Sequence, residues 1–262
     1  MSALTKPMLL LSLLLCSIVS GCLNNDDSQD SPVQLVVYYD QTAGTIYENW
    51  TNGQRISQTG VTFSFDFART TSTSGDIEMF TLLPGDGSAV IEVMSSDSAT
   101  IEYEYNTHGL FTAILGAQDV NGNTANMSLY LRVDAFTNWI EQNSENPITM
   151  EINAVPDCEE CSGPTLISID SEISNPNNLI PATGSTNTVT WNLVDPNDEV
   201  KATKTEQIAE GQTKLWEHDQ LGVTSGTWEL IVQIDSGEDN INITHEVSIR
   251  YEEDESEPHP FE

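Results

Sequence analysis

Between Ala99 and Val133 the side chains change character at every second residue, and that period decides what the chain can fold into. Ile101, Tyr103 and Tyr105 alternate with Thr100, Glu102 and Glu104, which is the pattern of a strand with one buried and one wetted face. After a break at 106–109, residues 110–117 are apolar almost throughout, as an interior strand of a sandwich would be. Beyond Asn121-Gly122, Met127, Leu129, Leu131 and Val133 point one way and Asn126, Ser128, Tyr130 and Arg132 the other. Asn-Gly between two such runs predicts a two-residue hairpin turn with positive backbone dihedrals.

Similar short runs recur along the rest of the chain. Before residue 99 the pattern predicts strands at 33–39, 61–67, 76–83 and 89–94, with Val61, Phe63, Phe65 and Phe67 sharing an inward face. After residue 146 it predicts strands at 148–154, 165–170, 188–194, 200–205, 213–217, 227–235 and 241–251. Val189, Trp191 and Leu193 form one inward stripe, and Trp228, Leu230, Val232 and Ile234 another. Spacing of this kind favours sandwiches over parallel architectures. The expected fold is all-β, with two tandem immunoglobulin-like β-sandwiches over 33–134 and 147–252. The alternation loosens over 135–146, around Trp139 and Ile140, which reads as a linker. Residues 253–262 read as an acidic, disordered tail. The stretch 40–60, with Trp50 and Arg55, reads as a long loop and a candidate recognition patch. Trp50, Trp139 and Trp216 are candidates to stack on a sugar ring.

Gly85-Asp86-Gly87, Tyr103 and Tyr105, Gly109, and the turn from Asp119 through Gly122 to Asn123 stand in one order. In that order the first half resembles the PKD domain, an immunoglobulin-like sandwich of extracellular proteins. The resemblance departs at Leu82 and Pro84, where the family has Trp and Phe. It implies a binding or spacer module outside the cell rather than a reaction.

At the N-terminus Lys6 precedes an apolar run over 8–19, shorter than the ~20 residues that span a bilayer. Residues 1–21 therefore read as an export signal. Val19-Ser20-Gly21-Cys22 resembles the lipobox of prokaryotic lipoproteins, which implies a diacylglyceryl group on Cys22 and a membrane-anchored, extracytoplasmic protein. Residues 22–32 would be its flexible tether. Cys16 leaves with the signal and Cys22 takes lipid, so Cys158 and Cys161 remain as a pair, read as a structural disulfide. The competing readings are a redox motif, which would want a strand-to-helix context, and half a zinc site, which would want a second ligand pair.

Forty-one acidic residues face eight basic ones. A surface with that excess repels nucleic acid and anionic lipid, and it suits a saline medium, where screening shortens the Debye length. Asp119-Val-Asn121-Gly-Asn123 begins like a calcium loop, but Thr124 stands at its sixth place and Tyr130 at its twelfth, so a hairpin turn accounts for it and no metal is expected. Sequons occur at Asn49, Asn126 and Asn242, sites for N-glycosylation in a host that performs it. His245 shares a face with Ile243 and Val247 and reads as a core histidine. The motifs of hydrolases and phosphate-binding enzymes are missing from the sequence, and neither catalytic residues nor a cofactor are expected. The expectation is a lipid-anchored surface protein whose sandwiches meet extracellular protein or glycan partners. The alternatives are a solute- or metal-binding lipoprotein of a transport system and an accessory subunit of a secreted hydrolase or surface complex.

Overall fold

The computed structural model describes residues 31–158, 161–176 and 185–261. Every regular element among them is a strand: β1 (Val33–Gln34), β2 (Ala43–Thr51), β3 (Gln54–Thr59), β4 (Val61–Asp66), β5 (Thr71–Ser72), β6 (Ile77–Leu83), β7 (Ile91–Met94), β8 (Thr100–Tyr105), β9 (Gly109–Asp119) and β10 (Thr124–Ser144). The second half adds β11 (Met150–Asn153), β12 (Leu166–Ser174), β13 (Asn187–Val194), β14 (Val200–Ile208), β15 (Thr213–Leu221), β16 (Thr227–Ser236) and β17 (Ile241–Arg250). The signal, Cys22 and most of the tether lie outside the described residues.

β10, 21 residues long, organises the rest. Its first half pairs antiparallel with β9, and its second half pairs antiparallel with β17. Arg132 to Ile140 also pair in parallel with β2. Residues 135–140 bond to both β2 and β17, and Arg132 and Val133 to both β2 and β9. β9 and β17 therefore follow one another along one edge of β10, while β2 takes the other. The result is a nine-stranded sheet, β15-β12-β17-β10-β9-β6-β7, with β2 attached to β10 and β3 to β2. The β2–β10 pairing is parallel in an otherwise antiparallel set, which the sandwich expectation did not foresee.

One face of this sheet carries two cores. Leu129, Leu131 and Val133 of β10, with Phe80, Leu82, Phe111, Ala113 and Leu115, are covered by Phe63 and Phe65 of β4 and Ile101 and Tyr105 of β8. Further along, Trp139 with Ile167, Ile169, Ile243 and Val247 meets Met150, Trp191, Trp228 and Leu230 of the four-stranded sheet β11-β16-β13-β14. Residues 129 to 139 of β10 alternate without a break, so both cores lie on the same side of one strand. From Pro32 onward the chain forms one compact unit.

Several expectations are corrected here. The segment 135–146, read as a linker, is strand as far as Ser144. Its alternation weakens because hydrogen bonding on both edges holds it in place, while Ala135 and Thr137 face a cleft rather than a core. The expected loop at 40–60 is the hairpin β2–β3, closed by Asn52 and Gly53 with φ of 48° and 76°, the two-residue turn that Asn-Gly favours. At Asn121-Gly122, by contrast, only Gly122 has positive φ, at 81°. There the Gly122 N–H donates to the Asp119 carbonyl at 2.9 Å, which makes a three-residue loop ending in a left-handed glycine. The expected strand at 33–39 pairs as β1 only over Val33–Gln34 and then through single bridges at Tyr38 and Tyr39.

The tail read as disordered is docked over residues 253–261. The Ser256 N–H donates to the Tyr130 carbonyl at 3.0 Å, the Tyr130 N–H donates to Ser256 Oγ at 3.0 Å, and His259 forms a bridge with Tyr39. Glu255 receives Nε and Nη2 of Arg132 at 2.9 and 3.0 Å, and Arg132 also pairs with Asp134. The tail thereby caps the β10 edge at Tyr130, just before the β2 pairing begins at Arg132. The Arg132 hydrogen bond holds the Glu255 carboxyl below the usual range against a smaller opposing effect of burial. Glu255→Ala should cost ~1 kcal/mol, with the loss shrinking as salt rises. Urea midpoints at low and high salt, with limited proteolysis of the released tail, measure it.

Candidate functional site

Where the two layers that cover the long sheet part, three cross-strand rows form the floor of a cleft of about 990 Å³, with Ile46, Trp139, Val247 and Ile249 buried and Glu48, Trp50, Ala135 and Thr137 half-buried. Ile46, Ala135 and Ile249 make one row, Glu48, Thr137 and Val247 the next, and Trp50 and Trp139 the third, beside His245. The 106–108 turn and Gln58 form one wall, and β11 with Pro156 and Asp157 the other. Trp50 and Trp139 sit directly opposite on β2 and β10, with rings stacked 5.6 Å apart at 22°. Trp139 is 5% exposed, and its Nε1 is buried without a partner among the described residues.

Glu48, Arg55 and His108 of the cleft are tied into its frame, whereas Glu151 and Asp157 make no ion pair among the described residues. Glu48 accepts Trp50 Nε1 on one carboxylate oxygen and Arg55 Nη1 on the other, both at 2.9 Å. His108 contacts the Asn153 carbonyl through Nε2 at 2.9 Å and the Tyr251 hydroxyl through Nδ1 at 2.7 Å. A carbonyl only accepts, so Nε2 carries the proton and Nδ1 takes the tyrosine O–H. Burial lowers the His108 pKa, partly offset by the Asn153 bond, which keeps the ring neutral. Thus His108 joins the 106–108 turn to the end of β11 and has no nitrogen left to move a proton.

Of the residues singled out in the sequence, Trp50, Arg55 and Trp139 line the cleft, and the PKD-motif, cysteine and sequon residues lie elsewhere. Asp86 accepts the Tyr103 hydroxyl at 2.6 Å and the Ser88 N–H at 2.9 Å, and the Tyr105 hydroxyl donates to the Pro84 carbonyl at 2.8 Å. Burial alone would raise the Asp86 pKa, but these hydrogen bonds outweigh it and the net shift is downward. Gly85 and Gly87 have φ of 84° and 83°. A side chain at Gly109 would crowd Phe111 and Cys158. Asp119 accepts the N–H groups of Asn121 and Asn123, Asn123 Nδ2 and the Ser72 hydroxyl. These outweigh burial and hold its carboxyl at about 2. The arrangement recurs in the second half, where Asp195 accepts the N–H groups of Asn197 and Glu199 and has the same three-residue loop, with Asp198 at φ 62°. In both turns the carboxylate serves as a structural knot.

Cys158 and Cys161 are joined by a disulfide, and the Cys158 sulfur packs beside the first core. Asn49 and Asn126 are exposed, whereas Asn242 is half-buried and accepts the Asn143 N–H at 2.8 Å. None of these residues lines the cleft. Trp216 is buried in the second core, which leaves Trp50 and Trp139 as the tryptophans of the cleft. Sequence reasoning missed Glu48, His108 and Glu151, and only Asn52-Gly53 could have pointed there, by announcing the hairpin that carries Glu48 and Trp50.

No protein-family profile matches the chain, and neither does any curated protein. Among solved structures it is similar to a carbohydrate-binding module of the β-sandwich superfamily, at 11% identity and a TM-score of 0.32 over 86% of this chain and 100% of that one. It is also similar to the CBM51-2 and INT domains of Clostridium perfringens ZmpB in complex with GlcNAc, at 9% identity and a TM-score of 0.27 over 84% and 49%. A third similarity is to tripeptidyl peptidase 2, at 11% identity and a TM-score of 0.24 over 86% and 21%. At these values the similarities assign neither a ligand nor an activity to this chain.

Proposed function

We propose that this protein is a non-catalytic binding module, held at the outer face of a membrane by lipid on Cys22, with two immunoglobulin-like halves, the first PKD-like. The cleft meets an extracellular protein or glycan. The observation that carries the reading is the cleft itself: an aromatic floor between two cores, with Glu48 and His108 fixed by partners within the protein. So engaged, Glu48 and His108 set a shape, and neither is free to exchange a proton with a ligand as general acid–base work requires. A solute-binding lipoprotein of a transport system is the second reading, favoured by the Trp139-lined cavity. The two separate by ligand size, since a display module gains affinity with chain length or partner size and a transport receptor prefers the monomer.

The test uses the full chain expressed with its leader. The parent should partition with membranes, incorporate a labelled fatty acid and be removed from intact cells by added protease. Cys22→Ser should lose the label and the membrane partition together. A Cys22→Ser protein that stays membrane-bound, or a parent that protease cannot reach from outside, would overturn the placement.

A further inference from the structure

We infer that the cleft takes a neutral oligosaccharide and discriminates against acidic ones. This rests on the proposed reading of the cleft as the binding site and adds the ligand's chemistry.

Two features of the lining point to hydroxyl-bearing ligands. The first is the indole pair, Trp50 and Trp139, stacked 5.6 Å apart in the lining, which offers aromatic carbon to a ligand ring. The second is the set of polar groups around the indoles. Thr137 lies on the floor, Glu151 on the β11 wall and Thr227 beside it, and none makes a side-chain hydrogen bond or ion pair among the described residues. Hydroxyls and a carboxylate beside an indole surface match a sugar ring. Its own hydroxyls both accept and donate, and its C–H face lies on aromatic carbon. The volume, about 990 Å³, falls at the upper end of ligand sites, which run to roughly 1,000 Å³.

Charge supplies the discrimination. The lining holds three carboxylates, Glu48, Glu151 and Asp157, and one guanidinium, Arg55, which is already paired with Glu48. A uronate or sulfate entering the cleft meets Glu151 and Asp157, neither of which has an ion-pair partner among the described residues, on a chain whose formal charge is -33. A neutral sugar pays no such Coulombic cost.

The mature lipoprotein in neutral detergent is titrated with three probes: neutral gluco-, manno- and N-acetylglucosamine oligomers, polygalacturonate and chondroitin sulfate oligomers, and a lysine-rich peptide. Calorimetry and tryptophan emission are the readouts. At least one neutral oligomer should bind and shift the emission, and Trp50→Ala should weaken it about tenfold while circular dichroism stays that of the parent. Glu151→Gln with Asp157→Asn should leave the neutral oligomer bound and admit the acidic ones, and the parent's discrimination should fade between about 0.1 and 1 M salt as the Debye length shortens. Acidic oligomers binding the parent as well as neutral ones overturn the discrimination. Binding of the peptide alone, lost in Trp50→Ala, overturns the sugar and leaves the cleft as the site. If neither sugar nor peptide binding responds to Trp50→Ala, the cleft reading itself falls.

Discussion

Trp191→Ala should lower the unfolding free energy by about 3–5 kcal/mol, the range for deleting a large aromatic side chain from a core. Trp191 is fully buried in β13, between β14 and β16, and faces the long sheet. Its Nε1 donates to Ser171 Oγ of β12 at 2.8 Å, a hydrogen bond that crosses from one layer of the second core to the other. Alanine leaves a cavity and removes that link. Trp191→Phe retains most of the apolar volume and should lose about 0.5–1.5 kcal/mol for the missing hydrogen bond, plus the smaller ring's deficit. Urea unfolding of the three proteins orders them as parent, phenylalanine, alanine. Loss of less than about 1 kcal/mol in the alanine variant would mean that the second core does not depend on this residue.

The second large effect is on acid stability. Ser171 Oγ accepts the Trp191 N–H and lies 2.8 Å from Nδ1 of the buried His245. Burial pushes its pKa down to about 3, against ~6.5 in the unfolded chain. Between those values the unfolded state binds a proton that the folded state refuses. The stabilisation is therefore complete above pH 6.5 and drains away as pH falls toward 3. From pH 7 to pH 5 the parent should lose about 2 kcal/mol through this group. Neutralising carboxylates changes stability over the same acid range, so the comparison is with His245→Gln, which keeps a polar group facing Ser171 and shares every carboxylate. Chemical denaturation at pH 7, 6 and 5 should show the parent's curve falling more steeply than the variant's by that amount. Parallel curves would mean that His245 is protonated in the fold.

The strands legible in the sequence are those whose two faces meet different media. Val61 to Asp66, Thr100 to Tyr105 and Thr227 to Ser236 each bury alternate residues against a core and wet the others. β2 escaped this test because its inward face reads Ile46, Glu48, Trp50: a carboxylate interrupts the apolar stripe where it lines the cleft. The second half of β10 escaped for the same reason, with Ala135 and Thr137 on the cleft floor. The docked tail was hidden by its composition, since an acidic, proline-containing stretch looks unfoldable until Arg132 is placed opposite Glu255. The cleft could not be read because it is made by neighbours across strands. Nothing local to Trp50 says that Trp139 lies opposite it, and the parallel register that brings them together is set by the whole sheet. The disulfide was legible, because Cys158 and Cys161 are close enough in sequence to bridge without knowledge of the fold.

Because both cores are built on consecutive stretches of a single unbroken strand, no hinge runs between them. Most binding proteins with a ligand seat between two lobes close over it, and part of their affinity is spent on that motion. Here the jaws are set at a fixed gap by the backbone of β10, and His108 clamps one corner. Recognition should then resemble a key entering a rigid lock, with fast association and selectivity decided by which shapes fit without rearrangement.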